Sequence, residues 1–317
     1  MIRGGGSFDP ARLISELDRF TPVSGPKQPA SIGDYYAFYD LDFSGEFSDL
    51  NHSIGRLVSG GYTITAQHFH RAGATGTAVV CHGYYDHVGL YGHLVRWLLG
   101  CNLSVLTFDL PGHGLSSGPS ASINSFDEYV TALVDTLSAA DGVLSSPVYL
   151  LGQSMGGAVC MEYLMRADAR RFEEIVLFAP LIRPANWPLA NVFYQLARHF
   201  VSERPRTITD NAENAEFMSL MRVDPLAPEA LPVAWVSAMI DWMKRFATYT
   251  SLPFEPKVVQ GCADKTVDWK YGLRVLHERT SPEVLEIEPA RHHLVNESPE
   301  IRQQMFEWLD PFLRTGR

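Results

Sequence analysis

Val148-Tyr-Leu-Leu-Gly152-Gln-Ser154-Met-Gly156-Gly157-Ala-Val-Cys-Met-Glu-Tyr-Leu-Met-Arg166 holds two elements and the turn between them. VYLL is a short continuous apolar run, the pattern of a strand buried on both faces. The run from Ala158 to Arg166 has the composition and spacing of a helix. Gly152 and Gly156 stand two positions either side of Ser154. Small residues there let strand and helix pass closely, while the serine sits in a strained turn with its hydroxyl exposed. The helix N-terminus beside it favours negative charge. G-x-S-x-G occurs a second time, at Gly114-Leu115-Ser116-Ser117-Gly118. That copy follows the turn Pro111-Gly112-His113-Gly114 and runs into the polar GPSASINS. No strand enters it and no helix leaves it, so it reads as a loop.

Outward from Ser154 the same alternation continues. Apolar runs suited to buried strands fall at Thr77–Cys81, Leu103–Phe108, Ile175–Ala179, Lys257–Gln260 and Val284–Ile287. Tyr62–Phe69 alternates β-formers, as an antiparallel strand near a sheet edge does. Helical patterns lie at Leu90–Leu99, Phe126–Ala139, Tyr271–Arg279 and Ile301–Leu313. This predicts an α/β fold: a mostly parallel central sheet with helices on both faces, ligands binding beyond the carboxyl ends of its strands. The alternation breaks between Leu181 and Phe246, where helical periodicity runs without a convincing strand. We expect an inserted helical cap at 181–246, dividing a core made of residues 1–180 and 247–317.

The first 31 residues form an N-terminal extension with four prolines, Pro10, Pro22, Pro26 and Pro29. Asp9 and Pro10 suit the start of a helix whose Leu13, Ile14, Leu17 and Phe20 share one face. Docking of that face onto the core is expected; the sharper alternative is transient contact with a membrane surface.

The chain has 317 residues, 46% hydrophobic and 20% charged, with a formal charge of −10. Net negative charge repels nucleic acid and anionic membranes alike. Four cysteines (Cys81, Cys101, Cys160, Cys262) form no CxxC pair and lie in or beside apolar stretches, as buried thiols of a reducing compartment do. The N-terminal sequence lacks the apolar core of a signal peptide, and no apolar run is long enough for a membrane span. A cytoplasmic protein is expected; nothing in the sequence sets an oligomeric state.

His82-Gly83-Tyr84 ends the first central strand, where a main-chain N–H must turn toward a reacting carbonyl oxygen. With Ser154 as nucleophile, the Tyr84 and Met155 amides would form the oxyanion hole. A metal site is the rival for this segment, because His82-x-x-x-Asp86-His87 approaches the HxHxDH zinc motif; Tyr84 replaces its middle histidine. The acid and base should follow in the order Asp, His. Asp264 lies in the loop GCADKTV after a strand, with Asp268 as substitute. His292 and His293 share the loop after the last strand, and spacing does not choose between them.

HGYYDH, FDLPGHGLSSG, GQSMGG and ARHHLVNE together resemble the monoacylglycerol lipase and lysophospholipase-like branch of the α/β-hydrolases. The resemblance runs from about Tyr62 to the C-terminus. It implies the α/β-hydrolase fold, a helical cap at 181–246, Ser154 as nucleophile, Asp264 as acid, and Tyr84 and Met155 as oxyanion donors. Its Arg-His-Glu-Leu pattern maps the catalytic base to His292, with His293 in the glutamate's place. Proline iminopeptidases carry HGGPG where this chain has HGYYD, and dehalogenases and epoxide hydrolases carry an aspartate at the position of Ser154.

The expected activity is hydrolysis of a small-molecule carboxylic ester, lipid esters included, with no cofactor or metal. An aminopeptidase on the same triad, and a non-catalytic binding protein on the same scaffold, are the alternatives. About a fifth of the chain, Leu181–Phe246, holds three of its six tryptophans and four of its nine methionines. Such side chains suit an adaptable apolar surface. We expect Tyr84, Trp187, Trp235, Met239 and Trp242 to contact substrate.

Overall fold

The computed structural model describes residues 8–23, 28–167 and 169–314. Met1–Ser7 and Pro26, on which part of the N-terminal reading falls, lie outside the described residues.

Eight strands form one sheet: β1 (Leu50–Ser59), β2 (Tyr62–Arg71), β3 (Gly76–Cys81), β4 (Leu103–Phe108), β5 (Val148–Gln153), β6 (Ile175–Phe178), β9 (Lys257–Gly261) and β10 (Glu283–Ile287). Their order is β1-β2-β4-β3-β5-β6-β9-β10. β1 and β2 pair antiparallel, as do β2 and β4, and every pair from β4 to β10 is parallel. Side chains alternate between the two faces. Val79, Leu106 and Leu150 join one core with the helices α4 (Phe126–Ala139), α5 (Met155–Leu164) and α9 (Trp269–Arg279). Val80, Val105 and Leu151 join the other with α3 (Gly92–Gly100) and α10 (Pro299–Leu313). This is the α/β-hydrolase architecture expected from the sequence.

The N-terminal extension docks. Asp9 caps α1 (Pro10–Glu16) by accepting from the amides of Ala11 and Arg12. Leu13, Leu17 and Phe20 are buried, so this helix has no free apolar face for a membrane. Residues 18–20 run along β1: Phe20 N–H donates to Arg56 O and Arg56 N–H to Asp18 O. A Cβ on Gly55 would lie 2.7 Å from Phe20 Cα, so glycine lets the extension lie that close. Two elements escaped the sequence reading: β1, whose polar residues blur its alternation, and α2 (Ile32–Tyr39).

Between β6 and β9 the chain leaves the sheet and forms α6 (Trp187–Ala197), α7 (Ala215–Val223) and α8 (Val233–Ala247). The expectation of a strandless stretch needs correction. β7 (Glu203–Pro205) and β8 (Ala230–Pro232) pair as a short antiparallel ribbon, too brief for a period-2 pattern to register. α8 is fastened to the core through Glu162 of α5, a fully buried carboxylate. It accepts from Trp242 Nε1 (3.1 Å), Tyr249 Oη (3.1 Å) and Arg166 Nε (2.9 Å), and pairs with Arg245. Among the described residues no helix is long and apolar enough to cross a membrane.

Burial pulls five histidines well below their ordinary pKa: His52 and His82 to about 3, His68, His93 and His113 to about 4. Each therefore stays neutral in the folded state while the unfolded chain protonates it below about pH 6.5. Stability from these groups is intact above that pH and lost as pH falls toward their folded values. His87 runs the other way, raised by Asp224 against its burial, and offsets part of the loss. At pH 5.5 each of them should cost on the order of 1 kcal/mol, before that offset. Urea midpoints should fall clearly between pH 7.5 and 5.5; a midpoint that holds or rises refutes this account.

Candidate active site

Ser154 stands between β5 and α5 with φ 53° and ψ −113°, a conformation that non-glycine residues rarely hold. Neighbours on the next strand and the following loop fix it. Ser154 N–H donates to Phe178 O at 2.8 Å, and Leu181 N–H donates to Ser154 O at 3.0 Å. The flanking glycines are set by clearance. A Cβ on Gly152 would lie 2.7 Å from Gly156 backbone, and one on Gly156 would lie 2.2 Å from Cys81 O.

Three residues predicted separately meet here. Ser154 Oγ is 2.9 Å from His292 Nε2, and His292 Nδ1 is 2.7 Å from Asp264 Oδ2. The other Asp264 oxygen accepts from the amides of Thr266 (2.7 Å) and Val267 (3.2 Å). Burial by itself would raise the Asp264 carboxyl. The adjacent imidazole and these hydrogen bonds outweigh it, holding the group below its ordinary value. With Asp264 ionised, Nδ1 carries the proton and Nε2 is left to accept from Ser154. Gln153 Nε2 donates to His292 O at 2.9 Å, tying the histidine's backbone to the serine's neighbour. Asp268, the substitute acid, instead caps α9 and pairs with Arg183.

His293 faces away from Ser154. Its Nε2 is 3.0 Å from Asp86 Oδ1; Asp86 Oδ2 accepts from Tyr91 Oη at 2.9 Å, and Tyr91 Oη accepts from Gly83 N–H at 2.8 Å. The second histidine thus braces the loop that carries Tyr84. Gly83 permits the approach of that loop, since a Cβ there would lie 3.5 Å from Ser154 Cβ and 2.7 Å from Asp86 Oδ2. Among the described residues, neither the Tyr84 nor the Met155 amide donates to a loop or turn carbonyl.

The histidines considered for a metal are engaged otherwise. His82 Nε2 accepts from Leu110 N–H (2.9 Å) and Nδ1–H donates to Gly83 O (2.7 Å). His87 Nε2 meets Asp224 Oδ2 at 2.9 Å, and Tyr39 Oη at the end of α2 donates to Asp224 Oδ1 at 2.6 Å. No group of three potential ligands suited to a metal occurs among the described residues. Ser116, in the second G-x-S-x-G, donates to Asp109 O (2.6 Å) and accepts from Thr65 N–H (2.9 Å), so its hydroxyl pins a loop.

Ser154 lies where two cavities meet, and Tyr84, Tyr85 and Thr266 line both. The larger, about 660 Å³, is walled chiefly by apolar side chains, Trp187, Trp235, Val236 and Met239 among them. The smaller, about 170 Å³, is more polar and takes in Arg206, Thr207, Asn211 and His293.

The Hydrolase_4 sequence profile, described as serine aminopeptidase, S33, matches residues 72–299. Human monoglyceride lipase is 31% identical over 247 residues, spanning 72% of this chain and 78% of the human protein. Monoacylglycerol lipase of Mycolicibacterium smegmatis is 26% identical over 238 residues, 71% of this chain and 83% of that one. The chain belongs to the Hydrolase_4 family of α/β-hydrolases, in its monoacylglycerol lipase-like branch. A structure of monoglyceride lipase from Saccharomyces cerevisiae with a substrate analogue superposes with a TM-score of 0.71 at 16% identity, covering 83% of this chain and 96% of the other.

Of the side chains expected to contact substrate, the hydrolase brings Tyr84, Trp187, Trp235 and Met239 to the large cavity. Trp235 stacks on Tyr84 with ring centroids 3.7 Å apart. Trp242 is a correction. It is 1% exposed, stacks on Phe126 and donates to Glu162, so it packs against the core and does not line the cavity. Position along the helix explains the error: Trp235, Met239, Trp242 and Phe246 share one face of α8, but its first turns reach the cavity whereas Trp242 and Phe246 lie further along, where Trp242 packs on Phe126 of α4. The Asp86–His293 brace and the reach of Tyr39 to Asp224 also went unforeseen, because both are long-range pairings without a local signal.

Ser154 alone of the two motif serines has an imidazole against its oxygen. A fluorophosphonate probe should attach to Ser154 and leave Ser116 unmodified, read by mass spectrometry of the labelled peptides. His292→Ala should abolish the labelling and His293→Ala should retain it. The reverse result in the two variants would overturn the assignment.

Proposed function

We propose that this protein hydrolyses carboxylic esters with medium or long acyl chains, monoacylglycerol- or lysophospholipid-like, through a covalent acyl-enzyme. The observation carrying this reading is the Ser154–His292–Asp264 hydrogen-bonded line opening on a large apolar cavity. His292 takes the proton of Ser154 as its oxygen attacks the ester carbonyl. Asp264 orients the imidazole and stabilises its charged form. The Tyr84 and Met155 amides receive the oxyanion, and His292 returns the proton to the departing alcohol. Water, deprotonated by the same imidazole, then releases the carboxylic acid. Every step uses groups of the chain and water, so no cofactor enters.

The apolar half of the substrate belongs against Trp187, Trp235 and Met239, and residues 181–246 act as its cap. Aminopeptidase activity, which the family's description suggests, is the second reading. The apolar lining of the larger cavity favours an acyl chain over a charged amino terminus. We assign transient contact with a lipid surface to α6, where Leu189, Val192, Phe193 and Leu196 are exposed, in preference to the docked α1. A cytoplasmic setting fits the free thiols, three of them buried.

Ser154→Ala should lower ester turnover by about four to six orders of magnitude, with the fold retained. Ser116→Ala should lose far less. Across acetyl to octanoyl p-nitrophenyl esters, kcat/KM should climb, each buried methylene helping by up to ~0.8 kcal/mol until the cavity is full. A flat or falling series, or aminoacyl anilides outrunning every ester, would overturn the lipid-ester reading.

A further inference from the structure

The smaller cavity carries a cation, Arg206, that forms no ion pair among the described residues. Arg206 directly follows β7, and its own N–H donates to Glu229 O at 2.8 Å, so the β7–β8 ribbon sets where the side chain stands. The side chain is half-buried and lines the cavity beside Ser154. Its guanidinium lies 4.3 Å from the Tyr85 ring centroid and makes one weak contact, Nη1 to Pro228 O at 3.3 Å. Tyr85 is itself held at φ 67°, so the surface under the guanidinium is fixed by a strained turn.

No carboxylate lies within ion-pair distance of Arg206 among the described residues. Asp86, on the same cavity wall, is engaged by His293 and Tyr91, and Asp224, whose charge also reaches the guanidinium, by His87 and Tyr39. A guanidinium has five N–H donors, and burying part of it without an anion is costly. Thr207, Asn211 and Thr266 add short polar side chains to the same wall. Neutral glycerol would leave the cation uncompensated. A phosphate would supply both the charge and the paired oxygens that a guanidinium binds in parallel.

We propose that the alcohol half of the substrate carries a phosphate and that Arg206 selects it, so that acylglycerol phosphates are preferred over monoacylglycerols of the same chain. This rests on the ester-hydrolase reading above. The acyl C–O bond breaks, the acyl group passes to Ser154 Oγ, and glycerol phosphate leaves with the proton from His292. Arg206 is a specificity residue and takes no part in the bond changes.

The test compares 1-octanoylglycerol with 1-octanoylglycerol 3-phosphate, both as monomers, and reads the ratio of their kcat/KM values. Wild type should favour the phosphate. Arg206→Gln should lower the phosphate-to-glycerol ratio by about ten- to a hundredfold, as loss of a charge-assisted pair does. Arg206→Lys should recover part of it. A wild type that prefers the neutral glycerol ester, or a ratio unmoved by Arg206→Gln, overturns the inference while the ester-hydrolase reading stands. Failure to cleave either compound or p-nitrophenyl octanoate overturns both.

Discussion

At Gly156 the helix leaving Ser154 passes so close to the end of β3 that one added carbon would collide with the carbonyls of Cys81 and His82. That clearance controls the geometry of everything above it. It sets α5 against the sheet and forces Ser154 into its strained turn. It also brings the loop after β3, with Gly83 and Tyr84, alongside the serine. A side chain at 156 would push the helix away and separate the Met155 amide from the Tyr84 amide, the two donors proposed for one oxyanion. The strain at Ser154 is sustained because both its peptide groups are hydrogen-bonded to neighbouring backbone, at Phe178 and Leu181.

Around that fixed point the molecule brings together segments distant in sequence. The β9 and β10 loops supply Asp264 and His292, and the excursion between β6 and β9 supplies the cavity walls. The excursion is held at two places of different character. α8 is locked to α5 through buried Glu162, whose isolation from water strengthens its bonds to Trp242, Tyr249 and Arg166. The end of α7 is held through Asp224, shared between His87 of the loop after β3 and Tyr39 of α2. α6 is tied to α8 through the Tyr194 and Ser237 hydroxyls, 2.7 Å apart, and its outer face leaves Leu189, Val192, Phe193 and Leu196 exposed. The wall of the larger cavity therefore combines a helix fastened to the core with one that carries apolar side chains in the open.

The parts legible in the sequence were those with local signals. Continuous apolar runs located five buried strands, because a strand covered on both faces admits little else, and also the edge strand β10, where only Ile287 is buried. Strand context separated the two G-x-S-x-G copies, and the structure gives the physical reason: Ser116 spends its hydroxyl on Asp109 and Thr65. What stayed hidden depended on tertiary contact. β1 owes its position to pairing with β2 and to the extension laid along it, and its own residues alternate poorly. Trp242 and Trp235 lie on the same face of α8, and only where the helix ends relative to the cavity decides which meets the core and which the cavity.

The adjacent histidines show how topology settles what spacing left open. In an extended loop, successive side chains point apart, so His292 and His293 had to serve different partners. Each found an aspartate. His292 meets Asp264 on the side of Ser154, and His293 meets Asp86 behind the oxyanion loop. The second pair is linked through Tyr91 to the Gly83 amide, so both sides of the reacting centre are braced from a single loop after β10. A glutamate at position 293 would place a second carboxylate against Asp86, whose charge would then repel it unless one took a proton. Histidine there avoids that conflict by offering a donor to the acid. The histidine at 293 and the aspartate at 86 are thus paired, and that pairing leaves His292 free to face Ser154.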